Sequence, residues 1–212
     1  MGRWAYLMFS CLSLAGCAWR VDGVRVDDLP SSITVAAAKC PALDGPFAVR
    51  ATLVRREGDP RRLPVAADPW TLTESLGFVT GIAAPSEGAF RIDYEAGIPV
   101  LHHLPAPGGT AVRSLRLAPS DPVTDAERIT LWNGRPVIAC IDDRLVLSHS
   151  RHYSIAGEVL VDDTTTVVLR EEQGDLLLTV GSEHSSQGGF VFPTTSTSRG
   201  SLVLRFARLP LR

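Results

Sequence analysis

Thr164-Thr165-Thr166-Val167-Val168-Leu169 is the stretch on which the fold turns. Its β-branched side chains lose rotamer freedom in a helix and pack well on a pleated surface, so the run predicts a strand. Similar short runs surround it: Arg144 to Tyr153, Gly157 to Val161, Leu176 to Gly181, Gly189 to Phe192 and Ser201 to Leu209. Asp142-Asp143, Asp162-Asp163, Gln173-Gly174-Asp175 and Ser198-Arg199-Gly200 separate several of them and predict turns. Strand after strand with polar punctuation predicts a meander.

Upstream the pattern continues. Asn133-Gly134 lies between Arg128-Ile-Thr-Leu-Trp132 and Arg135-Pro-Val-Ile-Ala-Cys-Ile141, and Asn-Gly is the preferred pair for a two-residue type I′ hairpin. Pro136 cannot donate to a ladder, which places the start of its strand at an edge. Ala89 to Tyr94 and Ile98 to Leu104 flank Glu95-Ala96-Gly97 as a second hairpin. Thr110 to Leu117 alternates loosely, and Phe47 to Val54 predicts one strand closed by Glu57-Gly58-Asp59-Pro60. Helix signals are short: Asp68-Pro69-Trp70 opens a two-turn piece ending near Leu76, and Ser120-Asp121-Pro122 offers another. The expected fold is all-β, an antiparallel sandwich or barrel-like meander with one or two short helices. No internal repeat supports a solenoid or propeller.

The first residues read differently. Arg3 supplies a positive start, Trp4 to Leu14 an apolar run, and Leu14-Ala15-Gly16-Cys17 follows directly. The apolar run is far below the roughly 20 residues a helix needs to cross a bilayer. The four-residue motif resembles the lipobox of bacterial lipoproteins. That resemblance implies cleavage before Cys17, a diacylglycerol on its sulfur and an acyl group on the new amino terminus. One buried acyl chain, at about 0.8 kcal/mol per methylene, binds marginally, whereas two or more hold stably. Ala18, where many inner-membrane lipoproteins have aspartate, implies an outer-membrane anchor facing the periplasm. The alternative is an ordinary secretory signal cut near Ala15 or Ala18, leaving Cys17 a plain thiol. The expected organisation is a signal peptide over 1–16, a lipidated cysteine and tether over 17–39, and a single β-rich domain over 40–212.

Loss of residues 1–16 removes one base, Arg3, and no acid, so the net charge moves from −2 to one unit more negative. Mild acidity disfavours nucleic acid and anionic lipid as partners, since both demand a basic patch. Of the cysteines, Cys11 leaves with the signal, so Cys40 and Cys140 remain for an oxidising compartment. A bridge between them closes about 100 residues and is worth on the order of 4 to 5 kcal/mol by chain entropy. Two reduced thiols are the alternative.

Chemistry-bearing patterns are sparse. His102-His103 point to opposite faces of a strand, and His149 and His152 meet on a helix but not on a strand. Neither pattern makes a metal site, and nothing calls for a cofactor. Gly181-Ser182-Glu183-His184-Ser185 has hydrolase residue types, yet sequence neighbours do not make a triad, and no G-x-S-x-G elbow occurs. The paired acids Asp142-Asp143, Asp162-Asp163 and Glu171-Glu172 fall at expected strand ends, where acids favour turns over glycosidase chemistry. Trp132, Phe190 and Phe192 are either core or a candidate binding surface for a protein or glycan. The leading expectation is a non-enzymatic envelope module, held to the membrane by its lipid, that binds an envelope protein or cell-wall polymer. A β-barrel carrier of an apolar ligand and an envelope hydrolase with a scattered site are the alternatives.

Overall fold

Among the described residues four tight turns organise the strands, and each places both central residues at positive φ: Asp22-Gly23, Ala96-Gly97, Asp142-Asp143 and Gln173-Gly174. That is the backbone of the type I′ turn, whose twist matches the strands it joins. The computed structural model describes residues 19–30, 40–43, 45–63, 88–104, 113–117, 137–155, 159–188 and 194–210.

The turns link β1 (Arg20–Val21) to β2 (Val24–Arg25), β5 (Ala89–Glu95) to β6 (Ile98–Leu104), β8 (Val137–Ile141) to β9 (Arg144–Ile155), and β10 (Val159–Glu172) to β11 (Asp175–Gly188). With β3 (Phe47–Ala48), β4 (Thr52–Gly58), β7 (Arg113–Arg116) and β12 (Thr194–Phe206), the strands form antiparallel sheets. Among the described residues one sheet runs β4-β12-β11-β10-β9-β8 and the other β3-β5-β6-β7. The chain beyond β12 joins them: Phe47 bridges Arg208, Ala48 N donates to Ala207 O at 2.9 Å, and Leu209 N donates to Pro46 O at 2.7 Å. The fold is the expected all-β, antiparallel one.

The core lies between the sheets. Leu145, Leu147, Val167, Leu169, Leu176, Leu178, Leu202, Leu204 and Phe206 meet Phe47, Phe90, Ile92 and Leu101 in one buried cluster. Phe90 packs on Phe47 at 5.7 Å and edge-on against Phe206 at 5.6 Å between ring centroids. Cys40 and Cys140 are bonded, tying the segment before β3 to β8.

Several expected boundaries move. Asp162-Asp163 is not a turn but lies within β10, and β11 does not end at Gly181 but runs on through Ser182 to Ser185. Ser198-Arg199-Gly200 likewise lies within β12. Polar residues end a strand only where the backbone must reverse. Here the partners' own polar residues lie opposite, Asp163 facing His184 and Glu183 facing Arg199, so the ladder continues. Phe47 to Val54 divides into β3 and β4, which pair on different strands. Both expected helices and the Asn133-Gly134 hairpin lie outside the described residues.

The stretch read as a tether, 17–39, also contributes structure. Trp19, Val21 and Val24 are buried against Val146 and Val168 on the outer face of the long sheet. Strand alternation explains this, because Val146 and Val168 point away from the core that Leu145, Leu147, Val167 and Leu169 fill. Without the hairpin those valines would face water, at about 2 kcal/mol per side chain. Asp22 fixes the hairpin by accepting from Arg170 Nε at 2.7 Å. Burial works against the Arg170 charge, but hydrogen bonds to Glu172 and Asp22 more than offset it and hold its pKa above the ordinary value.

Candidate functional site

Strands β9 to β12 are far longer than the core they cover, and their inner face changes character along its length. Nearest the β8–β9 and β10–β11 turns the inward positions are Leu145, Leu147, Val167, Leu169, Leu176, Leu178, Leu202 and Leu204. The register then carries the same face through His149, Thr165, Ser182 and Gly200, next through Asp163, His184 and Ser198, and then through Tyr153, Val161, Ser186 and Ser196. His149 is still buried; beyond it the face opens.

Asp163 is the hub of this polar half. One carboxylate oxygen accepts from Tyr153 Oη at 2.9 Å, and the other lies 2.6 Å from His184 Nδ1. His184 keeps 16 % of its side chain exposed and Asp163 35 %. On the next strand Ser198 Oγ accepts from Arg62 Nε at 2.8 Å, and Ser186 and Ser196 exchange a hydrogen bond at 2.9 Å. A carboxylate only accepts, so the imidazole donates its Nδ1–H to Asp163 and is held in one orientation. The arrangement is a fixed array of donors and acceptors.

Asp163, His184 and Ser198 share one cross-strand row, so residue types dismissed as sequence neighbours meet across three strands instead. The elbow nucleophile of an α/β-hydrolase, however, stands on a sharp turn beside free backbone donors. Ser198 sits mid-strand, and its oxygen already accepts from Arg62.

The other sequence candidates are dispersed. His102 bonds Ser114 at 2.8 Å while His103 is buried on the opposite face. His149 is buried on the inner face and His152 meets Asp162 on the outer one. Asp162 and Asp163 thus face opposite ways, and Glu171 and Glu172 pair separately with Arg208 and Arg170. Among the described residues no group of three or more His, Cys, Asp or Glu side chains is placed to hold a metal ion. No helix among them is long and apolar enough to cross a membrane. Cys17, Trp132, Phe190 and Phe192 lie outside the described residues.

The expected strands break at Asp162-Asp163, at Gly181 and at Ser198-Arg199-Gly200, so Asp163, His184 and Ser198 do not come together in the sequence. Neither Ser148 to Tyr153 nor Ser182 to Ser186 alternates apolar with polar residues, so no local periodicity marks the polar half. Comparison of the chain with protein-family models, curated proteins and solved structures finds no match, so its function is argued from its own residues and geometry.

Proposed function

We propose that this chain is an outer-membrane-anchored periplasmic lipoprotein whose β domain is a non-enzymatic binding module. Cys17 carries the lipid, and the polar half of β9–β12 engages a cell-wall polymer. One observation carries the reading: the inner face of these strands divides into a packed apolar half and a half-exposed hydrogen-bonding half. Tyr153, Asp163, His184, Ser186, Ser196 and Arg62 supply donors and acceptors suited to hydroxyl- and amide-rich chains, and the Tyr153 ring is 40 % exposed for stacking.

The two alternatives find less support. An apolar carrier needs an interior volume, and Phe47, Phe90 and Phe206 occupy the space between the sheets. A shallow depression of about 310 Å³ lined by Ala48, Val49, Arg50 and Gly88 is open and small against that need. A hydrolase needs a base on its nucleophile, and the partner of Ser198 Oγ is the Arg62 guanidinium.

The test has two parts. The mature N-terminus should begin at Cys17 with added acyl mass, and Cys17→Ser protein should leave the membrane fraction; an unmodified N-terminus overturns the anchor. Purified peptidoglycan should co-sediment the wild-type protein and lose it on combined Tyr153→Ala and His184→Ala substitution. Equal recovery of both proteins overturns the binding surface.

A further inference from the structure

Trp19 follows Cys17 by two residues and is already part of the folded domain. Its carbonyl accepts from Val26 N at 3.1 Å, and the Arg199 guanidinium lies 5.9 Å from its ring centroid. Two residues of fully extended chain reach about 7 Å. A lipid on Cys17 would therefore start within about 7 Å of Trp19, a distance comparable to the headgroup layer on one side of a bilayer. No free tether separates anchor from domain.

The surface beside that exit point suits a headgroup layer. Arg20 is exposed on the hairpin, Arg199 is 45 % exposed on β12, and Arg55 is 62 % exposed on edge strand β4, opposite Val203. Glu57, opposite Ser201 on the same face, is 58 % exposed. Guanidinium groups match phosphates. Glu183 pairs with Arg199 and Glu57 with Arg55, so the patch is of mixed charge, and the acyl chains supply the hold on the membrane.

We infer that the hairpin β1–β2 and the outer face of β12 and β4 rest on phospholipid headgroups, with Arg20, Arg55 and Arg199 toward the phosphates. The inference rests on the lipid-anchor reading. It also orients the molecule. Tyr153, Asp163 and His184 stand on the sheet face opposite Trp19 and Val168, so the polar surface is turned toward the periplasm. The domain is seated on the membrane, not swung from it.

Thiol labelling tests this cleanly, because acylation occupies Cys17 and the disulfide occupies Cys40 and Cys140. Mature lipidated protein carrying Glu57→Cys or Tyr153→Cys receives an environment-sensitive fluorophore. It is then reconstituted into phosphatidylcholine–phosphatidylglycerol vesicles doped with a headgroup-spin-labelled lipid. The Glu57→Cys label should be quenched several-fold more than the Tyr153→Cys label, and Arg20→Glu with Arg55→Glu should shrink the difference. Equal quenching in protein that floats with the vesicles and carries acyl mass overturns the seating and leaves the anchor intact. Protein that neither floats nor carries acyl mass overturns the anchor and the seating with it.

Discussion

Val21 lies directly over Gly181, where strand β11 has no side chain because none fits. A Cβ built at Gly181 would fall inside the van der Waals shell of Val21 Cγ2 and 3.1 Å from Trp19 Cζ2. A β-branched valine has no flexible end with which to yield. Gly181→Ala should therefore lift the hairpin and cost about 1–3 kcal/mol, the usual penalty for overpacking. The urea midpoint should fall, and trypsin should cut faster after Arg20 and Arg25. Unchanged midpoint and cleavage rates would show that the hairpin is not held there.

The Cys40–Cys140 bond spans a sequence separation of 100 residues. By the chain-entropy argument a loop of that size confers about 4.7 kcal/mol, chiefly by restricting the unfolded chain. Combined Cys40→Ser and Cys140→Ser substitution should lower the unfolding free energy by about 3–5 kcal/mol, measured in urea. Reductant should produce the same loss in the wild type and none in the variant. Coincident curves for all samples would mean that the bond contributes nothing.

Two groups set the response to pH. Hydrogen bonds from the Arg61 side chain and then its backbone hold the Asp59 carboxyl down at about 2, from an ordinary 3.8. A depressed carboxyl favours the fold above pH 3.8, and its contribution disappears as pH falls through 2. The turn Pro60–Arg62 should loosen in that window, and Asp59→Asn should remove the dependence, both visible in amide exchange at Arg61. Exchange that rises instead near pH 4 would refute the shift. At the alkaline end, burial pushes the Tyr94 phenol above its ordinary 10.0, and among the described residues its buried hydroxyl has no hydrogen-bond partner. A raised phenol costs stability as pH climbs past 10, because the unfolded chain ionises first. Tyr94→Phe should abolish that loss and leave neutral-pH stability unchanged or higher by up to about 1 kcal/mol.

Much of this architecture could be read from residue order. Thr164 to Leu169 and the turns at Ala96-Gly97 and Gln173-Gly174 are local signals, and local signals survive into the fold. Strand length was not local. Asp163 extends β10 because His184 lies opposite it on another strand, and no window around Asp163 contains that fact. The hairpin at 19–28 was legible in principle, since Asp22-Gly23 sits between Val21 and Val24. What gives so short a hairpin its order is the outward pair Val146 and Val168, more than a hundred residues away. The same distance hides the candidate site, which exists only as a cross-strand row.

Asp163 ties Tyr153 and His184 together, so its removal should free both while leaving the core alone. Asp163→Ala should cost only about 1 kcal/mol, because the hydrogen bonds are half-exposed and their donors can turn to water. Its effect on recognition should be larger than its effect on stability, since a preorganised surface loses affinity when its side chains must be ordered on binding. Nitrogen chemical shifts of His184 should report a proton on Nδ1 in the wild type and a mixture of tautomers in Asp163→Ala. Peptidoglycan affinity should fall in step with that change, and Asp163→Asn, which keeps an acceptor for one donor, should lie between. A wild-type imidazole already mixed in tautomer, or an affinity indifferent to Asp163, would remove the hub from the binding surface.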